Sequence, residues 1–543
     1  MEWQFATLWE LAADAAGDEI AIVQGPTRRS YREFDDRAAR IAAALVDGGL
    51  VPGSKVALYL YNSPEFLEVN FAALKQRLMP VNVNYRYLDT ELEYVLDNCD
   101  AEAIVFHSSL ADRVERVRAQ LPKLKVFITV NDGPGSTVAG ARDYDQVLQA
   151  YEPAPRIARS EGDLYMLYTG GTTGYPKGVL QQMGPFARMF AERACARFDL
   201  DVPADLGEYA QLLHDVVNQN RRPVSLALPP LMHGTGLWIG AMMVMCAAGQ
   251  VVLTSSRSLD PDEVLRLIDT ERVNFLVVVG DAMSKPLLGA LRNAATVGNP
   301  YEASSVTMIF SSGVMWTPEV KAELLEFMPQ VTLFDSMGST EGGMGVKVTR
   351  RGETVDTGQF LAIGTTKVFT EDGREVQPGS GEIGMIASGG ATVPLGYYKD
   401  PEKSARTFRE IGGVRYSFPG DWGRIEADGT LVVVGRGSQC INTGGEKVFP
   451  EEVEEAVKLV PGVEDCLVVG VPDERFGQRV AAVVAGNGVT AADIVTSTKA
   501  RISGYKVPRT IRFVDAVPRF DNGKPNYRAA GDLIAELPVD ADT

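Results

Sequence analysis

The chain has 543 residues, of which 45% are hydrophobic and 23% are charged, and its formal net charge at pH 7 is -18. This length exceeds what one hydrophobic core usually supports, so at least two domains are expected. The composition is that of an ordered globular protein. The negative charge and the lack of a long Lys/Arg run exclude nucleic acid as an expected partner, other than as a small nucleotide.

The sequence also predicts a cytoplasmic protein without a transmembrane segment. The N-terminal stretch MEWQFATLWELAADAA resembles an amphipathic helix and lacks the basic start and unbroken apolar run of a signal peptide. The most apolar run, residues 237–249, is too short to cross a bilayer as a helix and is interpreted as a buried core helix. The five cysteines form no CxxC pair, which is typical of a reducing compartment and gives no sign of structural zinc.

Short apolar segments rich in β-branched residues alternate with helical stretches along the first part of the chain. This alternation predicts an α/β fold of several layers with largely parallel sheets. The predicted strands begin at Val56, Ala103, Lys125, Ser225, Phe275, Val306 and Val331.

The local composition of the sequence changes from about Gly358, where short segments rich in Gly, Pro and Asp predict β-hairpins and turns. A smaller unit follows Gly435, with a helix at EEVEEAVKLV and strands at DCLVVGVP, RVAAVVAG and RTIRFVDAVP. We therefore predict domains at 1–435 and 440–543, joined by a hinge at 436–439. An ordinary surface turn within one domain is the alternative for the hinge segment.

Residues 168–179, YTGGTTGYPKGV, follow a predicted strand and combine glycines, threonines and one lysine. Glycines let backbone N–H groups approach an anion closely, while hydroxyls supply further donors and Lys177 supplies charge. The stretch therefore predicts a phosphate-binding loop. It differs from a Walker P-loop, because Pro176 precedes the lysine and Gly178 follows it. A Gly/Thr-rich surface loop without function is the alternative.

Five segments, in order, resemble the motifs of the adenylate-forming (ANL) enzymes, which include acyl-CoA synthetases, firefly luciferase and the adenylation domains of peptide synthetases. The resemblance covers essentially the whole chain. It implies an acetyl-CoA synthetase-like fold, with a large N-terminal α/β domain that contains a distorted β-barrel subdomain and a small mobile α+β C-terminal domain. The segments are YTGGTTGYPKGV, DSMGSTEG (335–342), GDWGRIEADGTLVVVGR (420–436), GGEKVFPEEVE (444–454) and NGKPNYR (522–528).

The resemblance implies a set of residues that bind ATP. Asp421 would accept hydrogen bonds from the ribose hydroxyls, since a carboxylate is an acceptor only. Met337 stands where the family usually has an aromatic residue that stacks on adenine, and its polarizable sulfur can still pack on the ring. The full set is Thr169, Gly170, Gly171, Thr172, Thr173, Gly174, Lys177, Ser312, Gly313, Asp335, Ser336, Met337, Gly338, Ser339, Thr340, Asp421, Arg436 and Lys524.

Four of the residues to which the resemblance gives roles are expected to carry the chemistry: Lys524, Thr340, Glu341 and Lys177. Lys177 would hold the outer phosphates and Thr340 the α-phosphate, while Glu341, with Thr169, would bind Mg²⁺, a hard cation that prefers oxygen ligands. Lys524 would neutralise the reacting end, which suits a displacement governed by positioning and electrostatics. A strand-end turn with helix-cap chemistry is the alternative for Thr340 and Glu341, and a solvated surface lysine is the alternative for Lys524.

The resemblance gives the remaining predicted site residues roles in substrate access and domain movement. His233, in PLMHGTG, would line or gate the substrate tunnel, although a packed, hydrogen-bonded histidine is the alternative. Gly444 and Gly445 would face the pantetheine arm of CoA. Ser438 is the hinge candidate, because a glycine and a serine after Arg436 tolerate large backbone rotations.

Together these features predict an ATP-dependent acyl-CoA synthetase with ATP, Mg²⁺ and CoA as cofactor and co-substrates. TGGTTGYPKGV, GDAMSKPL, GYYKDPEKSARTF and GRGSQCINTGGEKVFPEEVE most resemble the actinobacterial branch that activates fatty acids and steroid side-chain acids. The apolar residues Trp238, Met242, Met243 and Met245 fit a hydrophobic acid, although such a stripe is more often simple core.

Three alternatives stay open: a fatty acyl-AMP ligase that loads an acyl carrier protein, a peptide-synthetase adenylation module, and an inactive nucleotide-binding regulatory protein. The chain has no GxSxG elbow, so a serine hydrolase is not supported. The expected partners are the carboxylic acid, ATP and CoA, with a homodimer as an open question.

Overall fold

The computed structural model describes residues 2–169, 176–314, 316–355, 358–443, 446–473, 477–502, 504–520 and 523–536. The chain packs into two compact units. The first consists of Met1–Gly343, Lys347–Val355 and Gly389–Ser417, and the second of Met344–Val346, Asp356–Ser388 and Phe418–Thr543. The predicted hinge at 436–439 lies inside the second unit, so the division at residue 435 stays a prediction.

The described residues form sixteen α-helices. A π-helix, Thr235–Met242, runs directly into α9. The helices are α1 (Phe5–Ala15), α2 (Tyr31–Asp47), α3 (Pro64–Lys75), α4 (Asp89–Asn98), α5 (Ala111–Val117), α6 (Tyr144–Ala150), α7 (Met183–Arg197), α8 (Leu206–Asn218), α9 (Met243–Met245), α10 (Pro261–Thr270), α11 (Gly280–Thr296), α12 (Pro318–Phe327), α13 (Pro401–Thr407), α14 (Pro450–Lys458), α15 (Ala491–Lys499) and α16 (Tyr527–Ala535).

Twenty-eight β-strands lie in the same described ranges. They are β1 (Ile20–Gln24), β2 (Thr27–Ser30), β3 (Lys55–Tyr59), β4 (Met79–Asn82), β5 (Ala101–His107), β6 (Val126–Val130), β7 (Arg142–Asp143), β8 (Leu164–Thr169), β9 (Lys177–Gln182), β10 (Val224–Ala227), β11 (Gln250–Leu253), β12 (Phe275–Val278), β13 (Met308–Ser312), β14 (Thr332–Ser339), β15 (Gly342–Thr349), β16 (Gln359–Ala362), β17 (Lys367–Phe369), β18 (Gly384–Gly389), β19 (Gly396–Tyr397), β20 (Phe408–Ile411), β21 (Val414–Ser417), β22 (Asp421–Ile425), β23 (Thr430–Arg436), β24 (Ile441–Thr443), β25 (Glu446–Val448), β26 (Val463–Asp473), β27 (Gly477–Gly486) and β28 (Thr510–Val514).

Local side-chain chemistry sets several of the helix starts. The Ser30 hydroxyl accepts a hydrogen bond from the Glu33 N–H, and the Glu33 carboxylate accepts one from the Ser30 N–H, which forms a capping box at α2. Asp260 caps α10 in a similar way, and Pro261 occupies the first helical turn, where a missing N–H does no harm. These boundaries follow from short-range sequence alone.

The first unit is built on two mainly parallel sheets, as the sequence predicted. One has the strand order β2-β1-β11-β10-β12-β13-β14, with only β2 antiparallel. The other, β4-β3-β5-β6-β7, is parallel throughout. Strands β19, β9 and β8 form a small antiparallel sheet. Between these layers lies a large core that includes the fully buried Phe5, Trp9, Phe34 and Phe71.

The apolar run at 237–249 is buried in the first unit, as predicted, where it forms the end of the π-helix and α9. The helix needs Gly236, because a Cβ there would meet the backbone oxygens of Pro229 and Pro230 at 2.4 and 2.5 Å. No helix in the described ranges is both long and apolar enough to cross a membrane.

The second unit combines antiparallel hairpins with a small α/β layer. Strands β16, β23, β22 and β18 pair in that order, and β17 pairs with β18, which confirms the hairpins predicted after Gly358. The second sheet has the order β25-β24-β27-β26, with β28 parallel to β27. Alternate residues of β26 and β27 supply two separate cores, one packed with α14 and α15 and the other with α16.

Candidate functional site

The predicted phosphate loop connects the two strands of a β-hairpin in the first unit. Thr169 at the end of β8 lies opposite Lys177 at the start of β9 in the strand register. The intervening residues Gly170, Gly171, Thr172, Thr173 and Gly174 lie outside the described residues. Gly178 is required by packing, because a Cβ there would meet the side chains of Met166 and Tyr168 at 2.5 and 2.8 Å.

Buried Asn82 connects this hairpin to the segment that carries His233. Its Oδ1 accepts from the Tyr168 N–H at 2.7 Å, and its Nδ2 donates to the carbonyls of Tyr168 at 2.9 Å and Met232 at 2.6 Å. Because all three bonds are buried, breaking them would leave polar groups without water. The half-buried His233 therefore follows a residue that Asn82 links to β8.

Lys177 is held by a residue far away in sequence. Its ammonium forms an ion pair with Asp400, whose other carboxylate oxygen accepts from the Lys403 N–H at 3.0 Å and caps α13. The hydrogen bond from Lys177 lowers the pKa of the Asp400 carboxyl. The ion pair thus fixes the charge of Lys177 at the start of β9, one residue after Pro176.

Glu341 is held by Tyr397, which lies three residues before Asp400. The hydroxyl of Tyr397 donates to Glu341 Oε1 at 2.6 Å, and burial, together with the negative charge of Glu341, raises the pKa of Tyr397. Gln181 in β9 donates to the Thr340 carbonyl at 3.3 Å. Since Tyr397 pairs with Val179 in the strand register, the loop hairpin and the Thr340–Glu341 turn are joined through β19.

Two cations flank the Tyr397 ring. The ammonium of Lys403 lies 5.3 Å from the ring centroid and that of Lys177 lies 5.9 Å from it. Burial and the positive charge of Lys177 both lower the pKa of Lys403. A cluster of this kind attracts anions to the end of the hairpin, while Glu341 offers a carboxylate for a cation.

The tips of two parallel strands form the next part of the site. Ser312 ends β13 and lies opposite Ser336 of β14, and its hydroxyl donates to the Ser336 carbonyl at 2.9 Å. Gly313 follows with a φ of 94°, which favours glycine. Strand β14 continues through Met337, Gly338 and Ser339 to the turn at Thr340 and Glu341. Ligands of open α/β sheets bind at such carboxyl ends.

The structure directs Asp335 away from these strand tips. Its carboxylate is buried and pairs with the ammonium of Lys321 in α12 at 2.6 Å. Successive side chains of a strand point to opposite faces, so Asp335 and Ser336 lie on different faces of the sheet. Burial raises the pKa of the Asp335 carboxyl despite the positive charge of Lys321. The pair with Lys321 holds Asp335 in β14, and the predicted nucleotide contact of Asp335 stays a prediction.

The second unit contains the predicted ribose-binding residue. Asp421 is buried at the first position of β22 and lies opposite Arg436 in the register of β22 and β23. The side chains of Arg436 and Ser438, together with Gly444 and Gly445, lie outside the described residues. The backbone at 437–439 forms one 3₁₀ turn.

Lys524 sits on a short hairpin of the second unit, and its side chain is exposed. Its carbonyl accepts from the Phe520 N–H at 2.9 Å, and Gly523 donates to the Phe520 carbonyl at 2.8 Å with a φ of 78°. Arg519 supports the turn, because it donates to the Gly523 carbonyl at 3.0 Å and binds both oxygens of Asp465 at 2.9 Å. The hydrogen bonds of Arg519 thus stabilise the hairpin that carries Lys524.

Comparison with known proteins decides the family. Residues 9–398 match the AMP-binding enzyme family, and residues 452–524 match the AMP-binding enzyme C-terminal domain. The chain belongs to the AMP-binding enzyme family. The predicted resemblance to adenylate-forming enzymes and the predicted α/β fold class are confirmed.

Curated relatives and solved structures match this AMP-binding enzyme over nearly its full length. The 3-oxocholest-4-en-26-oate–CoA ligase of Rhodococcus rhodochrous is 39% identical over 552 residues, which cover 99% of this chain and 97% of the relative. A medium/long-chain-fatty-acid–CoA/3-oxocholest-4-en-26-oate–CoA ligase of Mycolicibacterium smegmatis is 39% identical over 551 residues, with 99% and 98% covered. ATP-bound MatB from Rhodopseudomonas palustris superposes with a TM-score of 0.81 at 25% identity, covering 99% of each chain.

Sequence reasoning located the loop hairpin, the Ser312 strand end and the Thr340–Glu341 turn of this AMP-binding enzyme, but it missed their partners. Tyr397 and Asp400 received no role, although the segment GYYKDPEKSARTF was noted as characteristic of the branch. The signal that could have found them is the unusual density of aromatic and charged residues in that segment. The stripe at Met242, Met243 and Met245 is buried core, as the alternative interpretation proposed.

Replacing Tyr397 by phenylalanine is expected to weaken ATP use, because Glu341 would lose the hydrogen bond that orients its carboxylate. A hydrogen bond to a charged group contributes about 1.5–3 kcal/mol, so the KM for ATP at saturating Mg²⁺ should rise about tenfold or more. Pyrophosphate release measured against ATP concentration gives this value. The matched control is Tyr398→Phe, whose hydroxyl donates instead to Asp100 at 2.7 Å. Equal KM values for the two variants would contradict the role of Tyr397.

A second expected result concerns Glu454, which is buried in α14 and accepts from the Val468 N–H at 2.9 Å. Burial raises the pKa of this carboxyl to about 7, although the charge of Lys458 opposes the shift. Because the pKa is higher in the folded state than in the unfolded state, the stabilising contribution is complete at low pH. It is lost as the pH rises through 7.

The opening free energy at the Val468 amide, measured by hydrogen exchange, should therefore fall by about 3 kcal/mol between pH 5 and pH 8. Glu454→Gln should remove this dependence, since glutamine does not ionise. Glu452→Gln on the same helix, where the carboxylate pairs with Lys506, should retain it. A flat pH profile in the unaltered protein would refute the assignment.

Proposed function

We propose that this protein is an ATP-dependent acid–CoA ligase, which activates a hydrophobic carboxylic acid as an acyl-adenylate and transfers the acyl group to CoA. AMP and pyrophosphate are the other products. The acid is a medium- or long-chain fatty acid or a steroid side-chain acid, as in the relatives that are 39% identical over nearly the whole chain.

One structural observation carries the nucleotide part of the proposal. The loop hairpin and the Thr340–Glu341 turn are connected through β19 and its neighbours, with Lys177 bound by Asp400 and Glu341 bound by Tyr397. Lys177 and Glu341 thus have separate partners and are not paired with each other. A triphosphate with a divalent cation needs this arrangement, because its negative oxygens require donors and its cation requires a carboxylate.

In the first step, an oxygen of the acid attacks the α-phosphorus of ATP and pyrophosphate leaves. The backbone of the loop at 169–174 and Lys177 hold the outer phosphates, and Thr340 holds the α-phosphate. Lys524 of the second unit offsets the charge that develops at the reacting carboxylate. In the second step, the CoA thiolate attacks the mixed anhydride and AMP leaves, with Gly444 and Gly445 facing the pantetheine arm and Ser438 serving as the hinge.

Mg²⁺ fits the residues present. Among the described residues, no group of three or more His, Cys, Asp or Glu side chains could hold a metal by itself. A single carboxylate suffices for Mg²⁺, which keeps several waters and takes its other ligands from substrate phosphates. Glu341, oriented by Tyr397, and the Thr169 hydroxyl would hold the ion. When bound, Mg²⁺ supplies charge neutralisation at the phosphates.

The deciding experiment incubates the protein with ATP, Mg²⁺ and a panel of medium-chain, long-chain and steroid-derived acids, with and without CoA. We expect acid-dependent pyrophosphate release in both conditions, and a thioester only with CoA. Pyrophosphate release that never yields a thioester would overturn the CoA assignment in favour of a ligase that loads a carrier protein. No pyrophosphate release with any acid would favour an inactive nucleotide-binding protein.

A cytoplasmic location and a homodimer are further parts of the proposal. Fractionation of cells that produce the protein tests the first, and sedimentation of the purified protein tests the second.

A further inference from the structure

Two arginines on one face of α7 lie close to the sheet that carries the candidate site. Arg193 and Arg197 are four residues apart, so their side chains are neighbours on the helix surface. The Arg197 guanidinium lies 3.9 Å from the ring centroid of Phe334 and 5.5 Å from that of Phe310. The helix therefore brings its last turn onto β13 and β14.

The two rings place Arg197 on the same side of the sheet as the side chains of Ser312 and Ser336. Phe310 and Phe334 are register partners, as are Ser312 and Ser336, which come two residues later on β13 and β14. Residues two apart share a face of a strand and are about 7 Å apart. The guanidinium of Arg197 thus lies on the Ser312–Ser336 face, further from the strand ends.

Neither arginine has an acidic partner in the part of the chain that the structure describes. Arg188, on the same helix, pairs with Glu192 at 2.9 Å, whereas the guanidinium of Arg197 contacts two aromatic rings. Burial lowers the pKa of both groups, and the neighbouring charge of Arg193 helps to bring that of Arg197 to about 10. The side chain of Arg193 is nevertheless exposed, so water reaches the pair although neighbouring protein groups remove part of its hydration.

Such a pair is unfavourable by itself. Two like charges in a partly desolvated place need a counterion or strong acceptors to offset their lost hydration. The aromatic rings offset part of this cost at Arg197 through cation–π contacts. Among the described residues, neither guanidinium group donates to a protein acceptor. An oxygen that arrives with the substrate would supply an acceptor.

We propose that Arg193 and Arg197 form a second subsite for the acid substrate, which binds an acceptor oxygen at the end of the molecule remote from the reacting carboxylate. The inference rests on the proposed function and narrows it from hydrophobic acids in general to acids with a polar far end. A second carboxylate or a ketone supplies the same acceptor chemistry, and a carboxylate is favoured because it also brings charge.

The test compares three acids of equal chain length: a monocarboxylic acid, the α,ω-dicarboxylic acid and the (ω−1)-oxo acid, which carries a ketone. Pyrophosphate release gives kcat/KM for each acid in the unaltered protein, in Arg193→Met, in Arg197→Met and in the double variant. We expect kcat/KM for the dicarboxylic acid to fall about tenfold or more in each variant, with the monocarboxylic acid changed less than about twofold. Arg188→Met on the same helix is the matched control and should change none of the three.

Several results would support or overturn the Arg193–Arg197 subsite. Equal loss for all three acids, or an unchanged preference in the double variant, would overturn the subsite. A larger effect on the (ω−1)-oxo acid than on the dicarboxylic acid would support it with a ketone as the ligand. If Arg197→Met does not fold, Arg197→Lys and the exposed Arg193→Met give the same comparison. Calorimetric binding of the acids tests the subsite without turnover, so a failure of the proposed ligase activity is distinguishable from a failure of this inference.

Discussion

Replacing Lys524 by alanine should lower the rate of adenylate formation by about two to three orders of magnitude, because a preorganised cation at the reacting centre is lost. The lysine is exposed and its hairpin is braced by Arg519 and Asp465, so the substitution should leave folding intact. The ammonium of Lys458 also pairs with the Asp465 carboxylate at 3.1 Å, so this support does not depend on Lys524. The measurement is acid-dependent pyrophosphate release in the absence of CoA.

The reaction itself provides a strong internal control for this variant. If Lys524 acts only in the first step, the variant should convert a chemically prepared acyl-adenylate and CoA to thioester at close to the normal rate. Lys499→Ala, an exposed lysine at the end of α15, should leave both steps unchanged. Normal adenylate formation in Lys524→Ala would mean that the first-step cation lies elsewhere.

The largest expected effect on stability follows from replacing Lys321 by methionine, which should destabilise the first unit by about 3–5 kcal/mol at neutral pH. The Lys321 side chain is 1% exposed and lies 2.6 Å from the carboxylate of Asp335. Removing one partner of a buried pair leaves the other charge without compensation. Hydrogen exchange at the amides of β13 and β14, measured at pH 8, reports the loss.

Two variants separate the missing pair from general disruption. Asp335→Leu combined with Lys321→Met should recover much of the lost stability, because no buried charge remains. Lys285→Met removes a Lys–Asp pair on the surface, the i,i+4 pair with Asp281 in which the lysine is 60% exposed, and should cost less than about 1 kcal/mol. The effect of Lys321→Met should also shrink at acidic pH, since burial raises the pKa of the Asp335 carboxyl and protonation removes its charge. Equal effects at pH 5 and pH 8 would contradict this explanation.

The fold class and the main parts of the site could be predicted because their signals are local. Strand β8, the glycine-rich loop and Lys177 are consecutive, and Ser339, Thr340 and Glu341 are adjacent. Alternation of apolar residues predicts β13 and β14 from a few residues each. The order of the five motifs then identified the family, which the matches at 9–398 and 452–524 confirm.

The partners of these residues could not be predicted, since no local pattern records them. Tyr397 lies 56 residues from Glu341, and Asp400 lies 223 residues from Lys177. Asp335 is a predicted nucleotide contact, and its motif gave no sign that its carboxylate pairs with Lys321 in α12. A motif specifies which residues are present but does not specify the face to which each is directed.

By itself, the sequence determined the family, the α/β architecture and the identity of the residues at the loop and the strand ends, because short-range patterns of polarity, glycine and charge encode these features. Only the tertiary structure decided which side chains hold Lys177 and Glu341 in place, and only it brought Arg197 over Phe334 and Phe310. The physical reason is that side-chain contacts depend on strand register and helix packing, which bring together residues that are far apart along the chain.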